Sequence, residues 1–385
     1  MKLTSINPYN QQVLGEFDTL KNDQLDSRIE ESEKAFKSWR RTDFDERSEL
    51  LISVSEMLRK DQDRLAIAIS LEMGKPISQS IAEVEKCAWV CEYYAENGAG
   101  FLEKEKVKTD ASESWVAYQP MGPILAIMPW NYPLWQVFRF AAPAIMAGNT
   151  CLLKHASNVS QCAINMESIF NQVSAPQALF QTLLITSDQA GAILSHPKVK
   201  AVTLTGSEAA GASVASIAGQ NIKKSVLELG GSNAFVILED ADLELILPDA
   251  VNGRFQNTGQ SCIAAKRFII EETIAPEFLE MFIDGVRSLK VGDPLNPETQ
   301  FGPMAREDLA EELASQVKAS VDAGAKILLG GGHESAHFDP TILTNVSPGM
   351  PAFDEELFGP VAAITTFTSH EQALNLVNNS RFGLG

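Results

Sequence analysis

Between residues 22 and 98, apolar positions recur three and four apart, as in Leu50-Leu51, Val54, Met57-Leu58 and then Ile81, Val84, Ala88. This is the period of helices that each bury one face. Gly74-Lys75-Pro76 interrupts the run and opens a new helix with proline near its first turn, and Asn97-Gly98 reads as the end of the last one. Two short strands follow, 104–108 and 115–119, around a polar turn at 109–114. A two-stranded ribbon is marginal alone, so it is expected to pack on another subunit.

The period then changes. Short apolar runs at 124–128, 150–153, 182–185 and 199–204 alternate with helical stretches at 134–147, 160–173 and 189–195. Such alternation predicts α/β architecture with a parallel, doubly wound sheet, whose ligands bind where strands end and the chain turns toward the next helix. A second alternating segment starts near Val226-Leu227-Glu228-Leu229-Gly230-Gly231. It includes a strand at 235–238 and helices near 276–289 and 307–323, and it reads as cut in mid-pattern at Gly385. A chain of 385 residues suits about two domains. The expected bounds are 1–225 for cofactor binding, with the ribbon at about 102–119, and 226–385 for catalysis.

Composition narrows the function classes. A formal net charge of -19 repels phosphate backbones and anionic bilayers, so neither nucleic acid nor membrane is an expected partner. A local positive site for a phosphate-bearing cofactor remains compatible with that charge. The most apolar region, 124–153, is broken by Pro129, Asn131, Pro133, Arg139 and Pro143 and cannot span a bilayer as one helix. No apolar core of signal-peptide length follows Met1, which places the protein in the cytoplasm. Five scattered cysteines fit reduced thiols, and Cys87 and Cys91 read as packing residues. His333-Glu334-Ser335-Ala336-His337 matches a zinc pattern, but it lies between three glycines and Phe338-Asp339-Pro340, a loop setting. No metal is expected.

The stretch most suggestive of chemistry is Gln256-Asn257-Thr258-Gly259-Gln260-Ser261-Cys262. It sets one thiol behind a glycine turn, open to attack a substrate. Three strand ends also carry polar groups: Pro129-Trp130-Asn131-Tyr132-Pro133, Lys154-His155-Ala156-Ser157 and Thr205-Gly206-Ser207. The last can open a helix whose N–H groups and Ser207 hydroxyl hold a pyrophosphate, although only Gly206 and Gly211 of a glycine fingerprint are present. Glu228, between Leu227 and Leu229, is expected to be enclosed by apolar groups and to have a raised pKa.

Together with Glu356-Leu357-Phe358-Gly359-Pro360, these segments resemble the aldehyde dehydrogenase superfamily over the whole chain and in the right order. The surroundings of Lys154 most resemble bacterial succinate-semialdehyde dehydrogenases. The resemblance implies a Rossmann-type cofactor domain, a second α/β catalytic domain and an oligomerisation ribbon. Members continue past this chain's end, so a homodimer or homotetramer is implied where the remaining strands are present. It makes Cys262 the nucleophile, Asn131 the oxyanion donor and Glu228 the base that activates water for thioester hydrolysis. It assigns Trp130, Asn131, Lys154, Ser157, Gly206, Ser207, Leu229, Glu356 and Phe358 to the cofactor. With a neutral serine at 157 that cofactor is NADP, or NAD. Arg139, Gln256 and Ser261 are assigned to the substrate, a small aldehyde whose distal carboxylate Arg139 would bind. Gln256 stands where a related branch has a second arginine, and whether Arg254 compensates is open. The alternatives are a general short-chain aldehyde dehydrogenase and a catalytically silent truncated scaffold.

Overall fold

A computed structural model describes residues 2–173 and 175–385. The chain divides into two compact units. One comprises Met1–Ile6, Val13–Glu72 and Ser80–Glu228; the other comprises Asn7–Gln12, Met73–Gln79 and Leu229–Gly385.

The first unit begins with the hairpin β1 (Lys2–Ile6) and β2 (Val13–Asp18), then α1 (Asn22–Trp39), α2 (Phe44–Lys60), α3 (Gln62–Met73) and α4 (Ile77–Phe101). Helix α2 starts at a reciprocal cap between Asp43 and Glu46 and buries Leu50, Leu51, Val54 and Leu58, the positions its period predicts. Helix α4 runs past Asn97-Gly98 to Phe101, so the expected stop is corrected. A side chain at Gly98 would collide with Met146, so this glycine permits close helix packing rather than ending a helix. The ribbon is β3 (Glu105–Lys106) paired with β4 (Trp115–Val116), shorter than the two runs suggest.

Then come β5 (Pro123–Met128), α5 (Trp135–Met146), β6 (Thr150–His155), α6 (Ser160–Gln172), β7 (Phe180–Thr182), α7 (Ser187–Ser195), β8 (Ala201–Thr205), α8 (Glu208–Gln220) and β9 (Lys224–Glu228). The five strands lie parallel in the order β7-β6-β5-β8-β9. The chain order reverses between β5 and β8, and the carboxyl ends on either side of that switch point are the ligand positions of an open α/β sheet. Strand β7 shares only Thr182 with the expected 182–185 run, so that expectation is corrected. Its polar Gln181 is buried and takes both the guanidinium and the carbonyl of Arg28, a partner 153 positions away.

The second unit contains β10 (Asn233–Ile237), α9 (Leu243–Phe255), β11 (Ala265–Glu271), α10 (Ala275–Arg287), α11 (Glu307–Asp322), β12 (Lys326–Leu329), β13 (His333–Glu334), β14 (His337–Phe338), β15 (Thr341–Thr344), α12 (Pro351–Asp354), β16 (Val361–Phe367) and α13 (His370–Asn378). Its sheet has the order β10-β11-β16-β15-β12, parallel except for β12 at one edge. Alternation along β11 sends Phe268 and Ile270 toward Phe255, Phe278 and Phe282 of α9 and α10. Ile269 goes to the opposite face, with Leu313 and Val317 of α11. The zinc-like segment is the antiparallel hairpin β13–β14, in which His337 Nε2 meets Tyr9 O at 2.9 Å. No helix among the described residues is long and apolar enough to cross a membrane.

Candidate active site

In the first unit, the strand ends gather the polar groups. His155, the last residue of β6, is buried. Its Nε2 lies 2.9 Å from Pro133 O, and its Nδ1 lies 3.1 Å from Met128 O and 2.9 Å from the Ala156 nitrogen. The imidazole thereby ties the end of β6 to the loop carrying Trp130 and the buried Asn131. Glu83 of α4 accepts from Leu134 N and Trp135 N at 2.9 and 3.0 Å, fixing the start of α5. Neither His155 nor Glu83 has a role in the sequence reading; a histidine inside the Lys154 motif is the one hint.

Burial pushes the His155 pKa down to about 4. Because the folded value lies below the ordinary 6.5, protonation favours unfolding. The stability is present above pH ~6.5 and is lost as pH falls toward ~4, by about 3 kcal/mol at ~1.4 kcal/mol per unit. Urea unfolding of wild type and His155→Asn across this range is expected to show a steeper acid loss for wild type; parallel curves would contradict the assignment.

Arg139, on α5, donates from Nη2 to Thr205 Oγ1 at 3.0 Å and lies 3.8 Å from Glu228 Oε2. Thr205 and Glu228 are paired in register at the ends of β8 and β9. The Glu228 side chain is 41% exposed, so the expected apolar enclosure is corrected. Strand β9 is the sheet edge, and flanking leucines there do not guarantee cover. The Arg139 side chain is itself 31% exposed, and an ion pair this open and this long is weak. A guanidinium held by Thr205 and loosely paired remains available to a ligand carboxylate.

Part of the expected pyrophosphate cradle is already used. Gly206 N–H donates to Glu228 O at 3.0 Å, and Ser207 Oγ accepts Ala210 N–H at 3.3 Å as the cap of α8. Lys154, near the end of β6, is half-buried, and desolvation pulls its pKa below the ordinary lysine value. It has no carboxylate partner among the described residues. A part-buried cation without a counter-charge favours an anionic ligand. Ser157 beside it is exposed.

The second unit carries the thiol. Asn257 and Thr258 adopt left-handed backbone at φ 54° and 55°, and Gly259 follows at φ 70°. For a β-branched threonine this conformation stores about 1–3 kcal/mol of strain. Surrounding bonds hold it: Gln79 Oε1 accepts Asn257 N–H at 2.9 Å, Thr258 Oγ1 donates to Gly302 O at 3.0 Å, and Gln260 Oε1 accepts Ala305 N–H at 2.9 Å. A Cβ on Gly259 would strike the Gly359 backbone. Cys262 emerges half-buried from this loop beside Ser261, which is buried, while Gln256 at the loop's start is exposed. Among the five cysteines the other four are buried, and burial raises the Cys91 and Cys151 thiols far above their ordinary value.

Arg254 cannot stand in for the arginine missing at 256. It is fully buried, with Nε donating to Val361 O at 2.7 Å and Nη2 to the carbonyls of Leu357 and Gly359. It stitches the thiol loop to the segment bearing Glu356 and Phe358. Glu356 Oε1 accepts Gly231 N–H at 3.1 Å and pairs with Lys266 Nζ at 3.0 Å. A Cβ on Gly231 would lie 2.9 Å from Cys262 O, and one on Gly230 would strike the Glu356 carboxylate. Both glycines therefore follow Leu229 because backbone must pass close to the thiol segment and to Glu356.

Known proteins share this arrangement of sequence and fold. A family description, "Aldehyde dehydrogenase family", matches residues 1–385. A probable succinate-semialdehyde dehydrogenase [NADP(+)] from Synechocystis is 46% identical over 100% of this chain and 86% of its own length. A succinate semialdehyde dehydrogenase [NAD(P)+] from Escherichia coli is 46% identical over 99% of this chain and 83% of its own. The crystal structure of succinic semialdehyde dehydrogenase from Streptococcus pyogenes in complex with NADP+ superposes at a TM-score of 0.97. It is 35% identical over 99% of this chain and 85% of that one. With its thiol loop, paired glycines and strand-end polar groups in place, the chain belongs to the aldehyde dehydrogenase family.

Proposed function

We propose that this enzyme oxidises succinate semialdehyde, or a similar ω-carboxylated aldehyde, to the carboxylic acid, with NADP or NAD as the electron acceptor. The observation that carries the substrate class is Arg139, a partly exposed guanidinium held by Thr205 and only loosely opposed by Glu228. Its fork is suited to a carboxylate. The names of the 46%-identical relatives support the same substrate and cofactor.

Cys262 forms the C–S bond to the aldehyde carbon as its thiolate, and the carbonyl oxygen becomes an oxyanion. Asn131 and the Cys262 backbone N–H are assigned to that charge, where fixed donors in a shielded site lower the barrier. Bound NADP or NAD supplies the hydride acceptor. Glu228 takes a proton from water, whose oxygen attacks the thioester left on Cys262; the C–S bond breaks and the thiolate returns. The sum is aldehyde, oxidised dinucleotide and water giving acid, reduced dinucleotide and one proton.

Lys154 suits the adenosine side of the dinucleotide as an uncompensated cation, with Ser157 three residues on and Gly206 and Ser207 just after β8 of the same sheet. Glu356, set close against Gly230 and Gly231, and Phe358 suit the nicotinamide side, with Trp130 and Leu229. Cofactor binding is assigned mainly to residues before 226 and catalysis to those after. The neutral, exposed Ser157 puts no carboxylate against a ribose 2′-phosphate, which favours admitting NADP.

The enzyme is placed in the cytoplasm as a homodimer or homotetramer. Support for assembly comes from Trp115 and Val116 of the ribbon and Tyr118 just after it, large side chains left exposed. A monomeric sedimentation coefficient would count against the assembly.

The test of function is a panel of aldehydes assayed for cofactor reduction with NAD and with NADP. Succinate semialdehyde is expected to give the highest kcat/KM. Equal values for neutral short-chain aldehydes would favour a general enzyme, and no reduction with any substrate would favour a silent scaffold.

A further inference from the structure

Lys266, the second residue of β11, has no part in the mechanism above, yet its side chain is only 1% exposed. Its ammonium has three acceptors: Ser261 O at 2.8 Å, Cys262 O at 2.8 Å and Glu356 Oε1 at 3.0 Å. The Phe358 ring centroid lies 5.9 Å away. Three donors meeting three acceptors saturate the group, which is what keeps a buried cation charged. Two of those acceptors are the carbonyls of the nucleophile and of the residue before it, which ties the ammonium to the segment carrying the thiol.

We propose that Lys266 is a positioning residue for the oxidation reaction: its buried ammonium, bonded to the Cys262 carbonyl, fixes the Cys262 backbone to the Glu356 carboxylate and favours the thiolate form of the Cys262 sulfur. The inference rests on Cys262 being the nucleophile. The ionisable groups bearing on Lys266 are Glu356 and Cys262, which favour its charge, and Arg254, which opposes it. Burial is the largest influence and brings its pKa down to about 8. Attraction between thiolate and ammonium is mutual, so the cation that the thiolate stabilises lowers the thiol pKa in return. Below pH ~8 the lysine is charged and the support is present; above it the support fades.

The test is the pH profile of Cys262 alkylation by iodoacetamide in wild type and Lys266→Met, read by peptide mass spectrometry alongside turnover. The midpoint in Lys266→Met is expected about one pH unit higher, with alkylation at pH 7 about tenfold slower. Its kcat is expected to fall at pH 7 and to recover toward wild type near pH 9. An unchanged midpoint, or a turnover loss equal at all pH values, would overturn the proposal. A second measurement does not depend on how the variant folds. In the wild-type protein the Lys266 ammonium is titrated by NMR of labelled lysine before and after Cys262 is capped. Capping is expected to lower the Lys266 pKa, and no change would equally overturn the proposal. If capping Cys262 left aldehyde oxidation intact, the proposed function itself would fail, an outcome separate from these.

Discussion

Cys262→Ala is expected to lower kcat for succinate-semialdehyde oxidation by about 10⁵-fold while leaving the fold and dinucleotide binding in place. The size follows from the chemistry, since without a carbon–sulfur bond there is no tetrahedral adduct from which hydride can leave and no thioester to hydrolyse. The selectivity follows from the structure. Cys262 is half-buried at the edge of a loop whose shape is set by Asn257, Thr258, Gly259 and Gln260, so truncating it leaves the bonds that shape the loop in place. The check is a steady-state assay together with thermal unfolding and a binding titration with NADP. A loss of activity matched by a loss of stability would not support the nucleophile assignment.

Arg139→Ala is expected to separate substrates. With succinate semialdehyde, kcat/KM is expected to fall about 10- to 100-fold, the worth of a charge-assisted hydrogen bond to a carboxylate. With a neutral aldehyde of the same length the change is expected to stay within about threefold. The long contact with Glu228 makes this informative, because a strong pair would couple both substrates to the mutation. Arg139→Lys should recover only part of the loss, since a point charge lacks the fork. Equal losses with both aldehydes would reject Arg139 as the reader of the carboxylate.

Much of this architecture is visible in the sequence because period and punctuation agree. Alternating apolar runs announce the first sheet, Ser207 before Glu208 announces a helix start, and one thiol behind Gly259 stands apart from cysteines in helical periods. What escapes is set by partners distant in sequence. Gly98 looks like a stop until Met146 is packed against it, and Gln181 looks like a loop residue until Arg28 takes both ends of its amide. Arg254 looks like a spare charge near the substrate, but carbonyls at 357, 359 and 361 enclose it.

Local context also misleads at Glu228. Two flanking leucines suggest an enclosed carboxylate, whereas an edge strand leaves the side chain open and facing Arg139. The left-handed backbone at Thr258 has no sequence signal, because threonine is among the residues least suited to it. Lys266 is hidden for a related reason. A lysine in an apolar strand has no evident purpose until the two carbonyls and the carboxylate around it are seen together.

The covalent step can be caught directly. In Glu228→Gln, hydrolysis is expected to be the slow step, so mixing with succinate semialdehyde and NADP should give a burst of reduced cofactor. Intact-protein and peptide mass spectrometry should then show one succinyl group on the peptide containing Cys262. A burst without any acyl group at Cys262, or an acyl group on a different residue, would contradict the account.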